Sequence, residues 1–178
     1  MTCALAILER HAIIYSLPMQ GRGASRAARK SNGRMPGKER IMSTSTKIGM
    51  VLADGRIKAI SLSWAGCPSK AGATLEERYK SPEDIEALLA LGNIFQLGTR
   101  PEPARNQMEE ETTVAYGRDW GFVGCDAVIF ADKEDFEKKA KVQFYADYLY
   151  LFENGKWLVK GTGISSWIEL TALVGMMA

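Results

Sequence analysis

Apolar and polar positions alternate over residues 46–53 and again over 56–64, a period of two that predicts two β-strands. Asp54-Gly55 lies between them, and a two-residue Asp-Gly connection favours a type I′ turn, in which both central residues take positive φ. That turn sets Leu52 opposite Ile57, Met50 opposite Ala59 and Ile48 opposite Ser61, with Lys47 and Lys58 on the other face. A second hairpin is predicted from strands near 142–153 and 156–162, joined by Asn154-Gly155. Its register places Phe152 opposite Trp157 and Tyr150 opposite Val159, an aromatic ladder of the kind that stabilises antiparallel pairs.

Between the hairpins the pattern changes. Residues 65–70 read as a loop from Gly66 and Pro68, and 71–80 hold the helix formers Leu75, Glu76, Glu77 and Arg78. Ser81 is placed as an N-cap, with Pro82 at the first helical position and Glu83 and Asp84 at the positive end of the dipole. Ile85, Leu88 and Leu89 form a helical stripe, and Gly92 ends it. Residues 99–113 lose all period and read as an exposed loop, carrying Pro101, Pro103 and the acids Glu109, Glu110 and Glu111. Residues 122–130 read as a strand, and Asp132 as the cap of a short helix through Ala140. The apolar stretch 167–174 closes the chain as a strand or a short helix. The whole predicts an α+β fold: an antiparallel sheet built from two β-hairpins, with two or three helices packed on one face.

Composition adds a boundary. The 178 residues, 46% apolar and 25% charged, suit one compact domain, and no apolar run approaches the ~20 residues of a membrane span. Net charge is +2, but residues 1–41 carry eight basic side chains against two acids, so the remainder is at −4. Three readings of this basic leader stand side by side. One is a start assigned too far upstream: Lys38-Glu39 can be encoded by a purine run suited to ribosome pairing just before Met42. Another is an Arg/Gly/Ser-rich tail for nucleic acid or membrane, and the third a targeting peptide, which Glu9 and Arg10 argue against. The domain is expected over 42–178.

Histidine occurs once, as His11 in the leader. The domain therefore lacks the usual base near neutral pH, histidine zinc ligands and a histidine-assisted nucleophile. Cys67 and Cys125 are far apart, with Cys3 in the leader, and no CxxC pair exists. No metal site and no cofactor is expected. Asp119 and Asp126 are the carboxylates on which a metal-dependent hydrolase or nuclease would rest. Ser43 would serve an N-terminal nucleophile if Met42 were removed.

Two segments concentrate recognition chemistry. Trp64-Ala65-Gly66-Cys67-Pro68 follows the first hairpin, and Tyr116-Gly117-Arg118-Asp119-Trp120 joins a planar donor fork to stacking faces. Each also has a structural reading: Trp64 as a cap on the core edge, Arg118 and Asp119 as a local turn and ion pair. With Met42-Ser43-Thr44, Lys47-Ile48-Gly49 and Asp54-Gly55, these motifs resemble a group of small uncharacterised proteins encoded by tailed phages and prophages. The resemblance covers most of 42–120. Ser63 and Gly117 stand where that group has histidine, and Ala65 where it has aspartate, so what is shared is shape and recognition. The resemblance implies a non-catalytic accessory protein in the host cytoplasm, binding a host protein or small ligand in takeover or anti-defence. Trp64, Cys67, Tyr116, Arg118, Asp119 and Trp120 are the expected contact residues, with Arg118 as charged anchor. The alternatives are the carboxylate metal enzyme and a nucleic-acid binder acting through the leader, since 42–178 is too acidic to bind nucleic acid itself.

Overall fold

The computed structural model describes residues 44–102 and 112–177, all within the second of the chain's two units, Glu39–Ala178. The expectations for residues 1–41, for Ser43 and for Glu109, Glu110 and Glu111 lie outside the described residues. The elements are β1 (Thr46–Val51), β2 (Ile57–Leu62), a π-helical turn (Pro68–Gly72), α1 (Ala73–Arg78), α2 (Pro82–Ala90), β3 (Ile94–Gln96) and β4 (Val114–Ala115). They continue as α3 (Tyr116–Trp120), β5 (Val128–Phe130), α4 (Lys133–Val142), β6 (Tyr148–Glu153), β7 (Lys156–Gly161), β8 (Ile164–Glu169) and α5 (Leu170–Met177). No helix among the described residues is long and apolar enough to cross a membrane.

The second hairpin forms in the expected register, with Phe152 opposite Trp157 and Tyr150 opposite Val159. Asn154 (φ 52°) and Gly155 (φ 78°) make the two left-handed positions of a type I′ turn, and the Phe152 and Trp157 rings meet edge to face at 5.3 Å. Helix α2 also starts as expected: the Ser81 hydroxyl accepts the Asp84 N–H at 3.2 Å, and Gly92 leaves the helix at φ +70°.

The first hairpin is shifted by one residue. Leu52 N–H donates to Arg56 O at 2.7 Å and Gly55 N–H to Leu52 O at 2.9 Å, so the loop holds three residues and only Gly55 has positive φ. Asp54 instead accepts the Arg56 N–H at 3.1 Å. Ile48 therefore faces Ile60 and Met50 faces Lys58, in place of the expected Ser61 and Ala59. A one-residue slip exchanges the faces of every side chain. Lys47 and Lys58, expected together on a polar face, fall on opposite faces, Lys58 opposite Met50 and Lys47 opposite Ser61; each face carries one lysine and packs into a core, so the shifted register buries apolar residues on both sides.

The sheet is mixed rather than antiparallel. Its order is β4-β3-β2-β1-β6-β7-β8, with β5 also paired to β2. The two hairpins join through β1 and β6, which run parallel with Thr46 beside Tyr148, and β2 and β3 are parallel too. A parallel join requires a crossover, which the helices between the hairpins supply.

Helices cover both faces, not one. Ile48, Met50, Ile60, Leu62, Tyr150 and Phe152 pack against α1, α2 and α5 through Leu75, Ile85, Leu88 and Leu170. On the reverse side Ile57, Ala59, Leu149 and Leu151 pack with Phe130 and with Phe136 and Ala140 of α4. Three boundaries also change. Only Val128–Phe130 of the 122–130 stretch pairs as a strand. Val142 ends α4, so its hairpin strand begins at Tyr148. The closing stretch is both elements in turn, Trp167 in β8 and Leu170 opening α5.

Candidate functional site

The two recognition segments meet at one end of the sheet. Trp64, just after β2, stacks at 6.1 Å and 17° on Phe95 of β3. Phe95 lies 5.2 Å from Trp120 and 6.4 Å from Tyr116, both on α3. Tyr116 meets Trp120 edge to face at 5.2 Å and stacks on Phe122 at 5.8 Å. Five rings thus form one connected cluster. Much of it faces solvent: Trp64 is 37% exposed, Trp120 48%, Phe122 55% and the adjoining Val123 94%.

Phe95, Phe122 and Val123 are the members that sequence reasoning missed. Phe95 follows Ile94, which is fully buried, so the two point to opposite sides of β3. A three-residue strand is too short to announce that alternation. Phe122 was submerged in the apolar run 122–130, although Gly121 (φ +69°) and Gly124 (φ +71°) mark it as loop.

Backbone geometry holds the cluster in place. Asn93 is its hub: its side-chain oxygen accepts Ser61 N–H at 2.8 Å, its carbonyl accepts Tyr116 N–H at 3.1 Å, and its own N–H donates to Cys125 O at 2.5 Å. A Cβ on Gly92 would come within 2.2 Å of that same Cys125 carbonyl. The Trp64 loop is pinned equally closely: Thr46 Oγ1 donates to Gly66 O, and a Cβ on Gly66 would lie 2.0 Å from that hydroxyl. Beneath, the buried Tyr79 hydroxyl donates to Gly98 O at 3.0 Å, and burial pushes its pKa up to about 12.

Arg118 and Asp119 turn inward to the protein. Asp119 receives Arg118 through both carboxylate oxygens, at 2.9 and 2.8 Å, and its Oδ2 also accepts the Ala115 N–H at 2.7 Å. Two further Arg118 N–H groups go to the carbonyls of Thr113 and Pro101. The Arg118 hydrogen bonds hold the Asp119 carboxyl below its usual pKa. Because Tyr116 N–H faces β3, the groups on Thr113 and Ala115 face away from the sheet. The outer edge, the place where another strand would add, is covered by the Asp119 carboxylate at Ala115 N–H, by Arg118 at Thr113 O and by the Arg100 carbonyl at Thr113 N–H. Four of the five guanidinium N–H groups are thus committed within the protein, and the pair helps to cover this edge beside Tyr116 and Trp120.

Cys67 stands apart from the rings: its Sγ meets Ser69 Oγ at 3.4 Å, just before the π-helical turn. Among the described residues no three His, Cys, Asp or Glu side chains converge as metal ligands. Asp126 is exposed on the 121–127 loop, while Asp119 is committed to Arg118 and Ala115. No family model, no curated protein and no solved structure matches this chain.

Proposed function

We propose that the domain is a non-catalytic binding module whose contact surface is the aromatic cluster of Trp64, Phe95, Tyr116, Trp120 and Phe122. The carrying observation is that separate segments of the chain bring their rings together at the surface instead of into either core. From side-chain areas of roughly 150–250 Å² for aromatics, the exposed parts of Trp64, Trp120, Phe122 and Val123 sum to roughly 400–500 Å². That matches the largest apolar patches of monomeric proteins, which are often functional. It falls short of the ~800 Å² per partner of a standard stable complex, which favours a transient protein partner. Trp and Tyr are enriched among anchors of such interfaces. The resemblance to phage and prophage proteins makes a host protein the expected partner. Arg118 and Asp119 serve by holding α3 in place, and the rings supply the contact.

The test compares wild type with Trp120→Ser/Phe122→Ser in affinity capture from a bacterial lysate, with thermal melting as the fold control. A partner retained by wild type and lost by a variant of unchanged melting supports the proposal. Equal capture by both proteins overturns it.

A further inference from the structure

Asn154-Gly155, the exposed turn between β6 and β7, is the one Asn-Gly pair among the described residues. Neither the Asn154 side chain nor the Gly155 N–H has a hydrogen-bond partner among those residues. A Cβ on Gly155 would meet nothing within 4 Å, so the space around the glycine is open. The turn at Asp54-Gly55 is held differently. There the Gly55 N–H donates to Leu52 O at 2.9 Å, and the Asp54 carboxylate accepts the Arg56 N–H at 3.1 Å and its Nε at 2.7 Å. Nitrogen and side chain are both committed in one turn and both free in the other.

A bond between Gly155 N and Asn154 Cγ closes a five-membered ring. In a type I′ turn the glycine nitrogen points away from the asparagine side chain. Turning over the single peptide plane between the two residues converts I′ into II′, the other turn suited to a two-residue hairpin loop. In II′ that nitrogen eclipses Cβ and faces Cγ. Asn154 keeps its positive φ, and only Gly155 changes the sign of its φ, which glycine does at little cost. Because the Gly155 N–H is unbonded, the flip breaks no hydrogen bond among the described residues, and β6 and β7 keep their register.

We propose that Asn154 is a spontaneous modification site, at which the folded hairpin turn converts asparagine into aspartate and isoaspartate. The Gly155 nitrogen loses its proton to solvent and attacks Asn154 Cγ. The bond from Cγ to Nδ2 breaks, Nδ2 takes up a proton and leaves as ammonia, and a succinimide remains. Water then opens either carbonyl-to-nitrogen bond of the ring, giving aspartate or isoaspartate. Water is the co-reactant, and nothing is oxidised or reduced. Each event adds a negative charge next to Glu153, whose carboxylate pairs with Lys133 at 2.7 Å. The aspartate product keeps the turn, because Asp tolerates positive φ. Isoaspartate adds a backbone methylene to a loop whose length fixes the register of Phe152 with Trp157.

The test incubates the full chain at pH 8 beside capped peptides spanning residues 151–158 and 51–58, and reads aspartate and isoaspartate at each site by peptide mass spectrometry. A flipped turn populated at roughly 1–10% places conversion at Asn154 about tenfold to a hundredfold below that of its peptide. Reaction through global unfolding, at an unfolded fraction of roughly 10⁻³ or less, is slower by at least about a thousandfold. Asp54 should be slowed more than Asn154, each relative to its own peptide. Conversion of Asn154 within about a hundredfold of the peptide supports the proposal, and slower conversion overturns it. Equal slowing at the two sites overturns the part assigned to the free Gly155 N–H.

Discussion

Asp119 accepts the outward N–H of Ala115 at 2.7 Å, so a carboxylate occupies the position a neighbouring strand would take on β4. Arg118 completes the seal by donating to Thr113 O on the same edge. A motif with the composition of a binding site thus works here as an edge cap, and the ring cluster it steadies is the contact surface we propose.

Asp119→Ala leaves the Ala115 N–H without its acceptor and takes two of the acceptors of Arg118, and is expected to destabilise the domain by about 1–3 kcal/mol. Denaturant melts check the effect. Because the folded pKa of Asp119 is depressed, its contribution is present above the ordinary carboxyl range and lost as pH falls. The stability difference between wild type and Asp119→Asn should therefore shrink on acidification.

Lys47→Met is expected to raise stability at pH 7 by roughly 1–3 kcal/mol, because a buried ammonium without a counter-ion is replaced by an apolar chain of similar length. The sign follows from a folded pKa of about 8 against 10.5. Above pH 8 the unfolded state binds more protons than the folded one, so wild type gains stability as pH rises towards 10.5. Melting temperatures of the two proteins should converge over that window, and a constant gap would contradict the assignment.

Gly66→Ala places a methyl group 2.0 Å from Thr46 Oγ1. Displacing β1 or the Trp64 loop is expected to cost about 3 kcal/mol or more. Gly155→Ala meets no atom and strains only a turn at φ +78°, so about 1 kcal/mol is expected. Parallel urea titrations should show the larger loss at Gly66, and a reversed order would show that the loop adjusts freely.

Asn93→Ala removes the acceptor of Ser61 N–H and is expected to loosen the end of β2, while the backbone bonds of residue 93 to Tyr116 and Cys125 remain. Hydrogen exchange should rise at Ser61 while the Tyr150–Val159 ladder stays protected. Unchanged exchange at Ser61 would remove Asn93 from its place as hub.

Much of the local structure was legible before any coordinates. Asn154-Gly155 and the Ser81-Pro82 start each form through contacts within a few residues, so sequence neighbours carry the whole signal. Asp54-Gly55 was misread because a two-residue and a three-residue loop differ only in whether Asp54 takes positive φ, and each face carries one lysine and packs into a core, so no polar face marks the register. In the site, Trp64, Tyr116 and Trp120 were visible as residue types. Their meeting was not, because Phe95, which touches all three, lies in a strand of three residues.

The amino-acid order alone determined the turn at Asn154-Gly155 with its aromatic ladder, the capped helix α2, and the lack of histidine from Met42 onward. Tertiary structure decided the parallel pairing of β1 with β6, the helix on the second face, the inward turn of Arg118 and Asp119, and the burial of Lys47. The division is physical. Turns and caps are set by φ preferences and hydrogen bonds a few residues apart. Strand partners, edge seals and a lysine's surroundings depend on which distant surfaces must be covered at once, which no local pattern states.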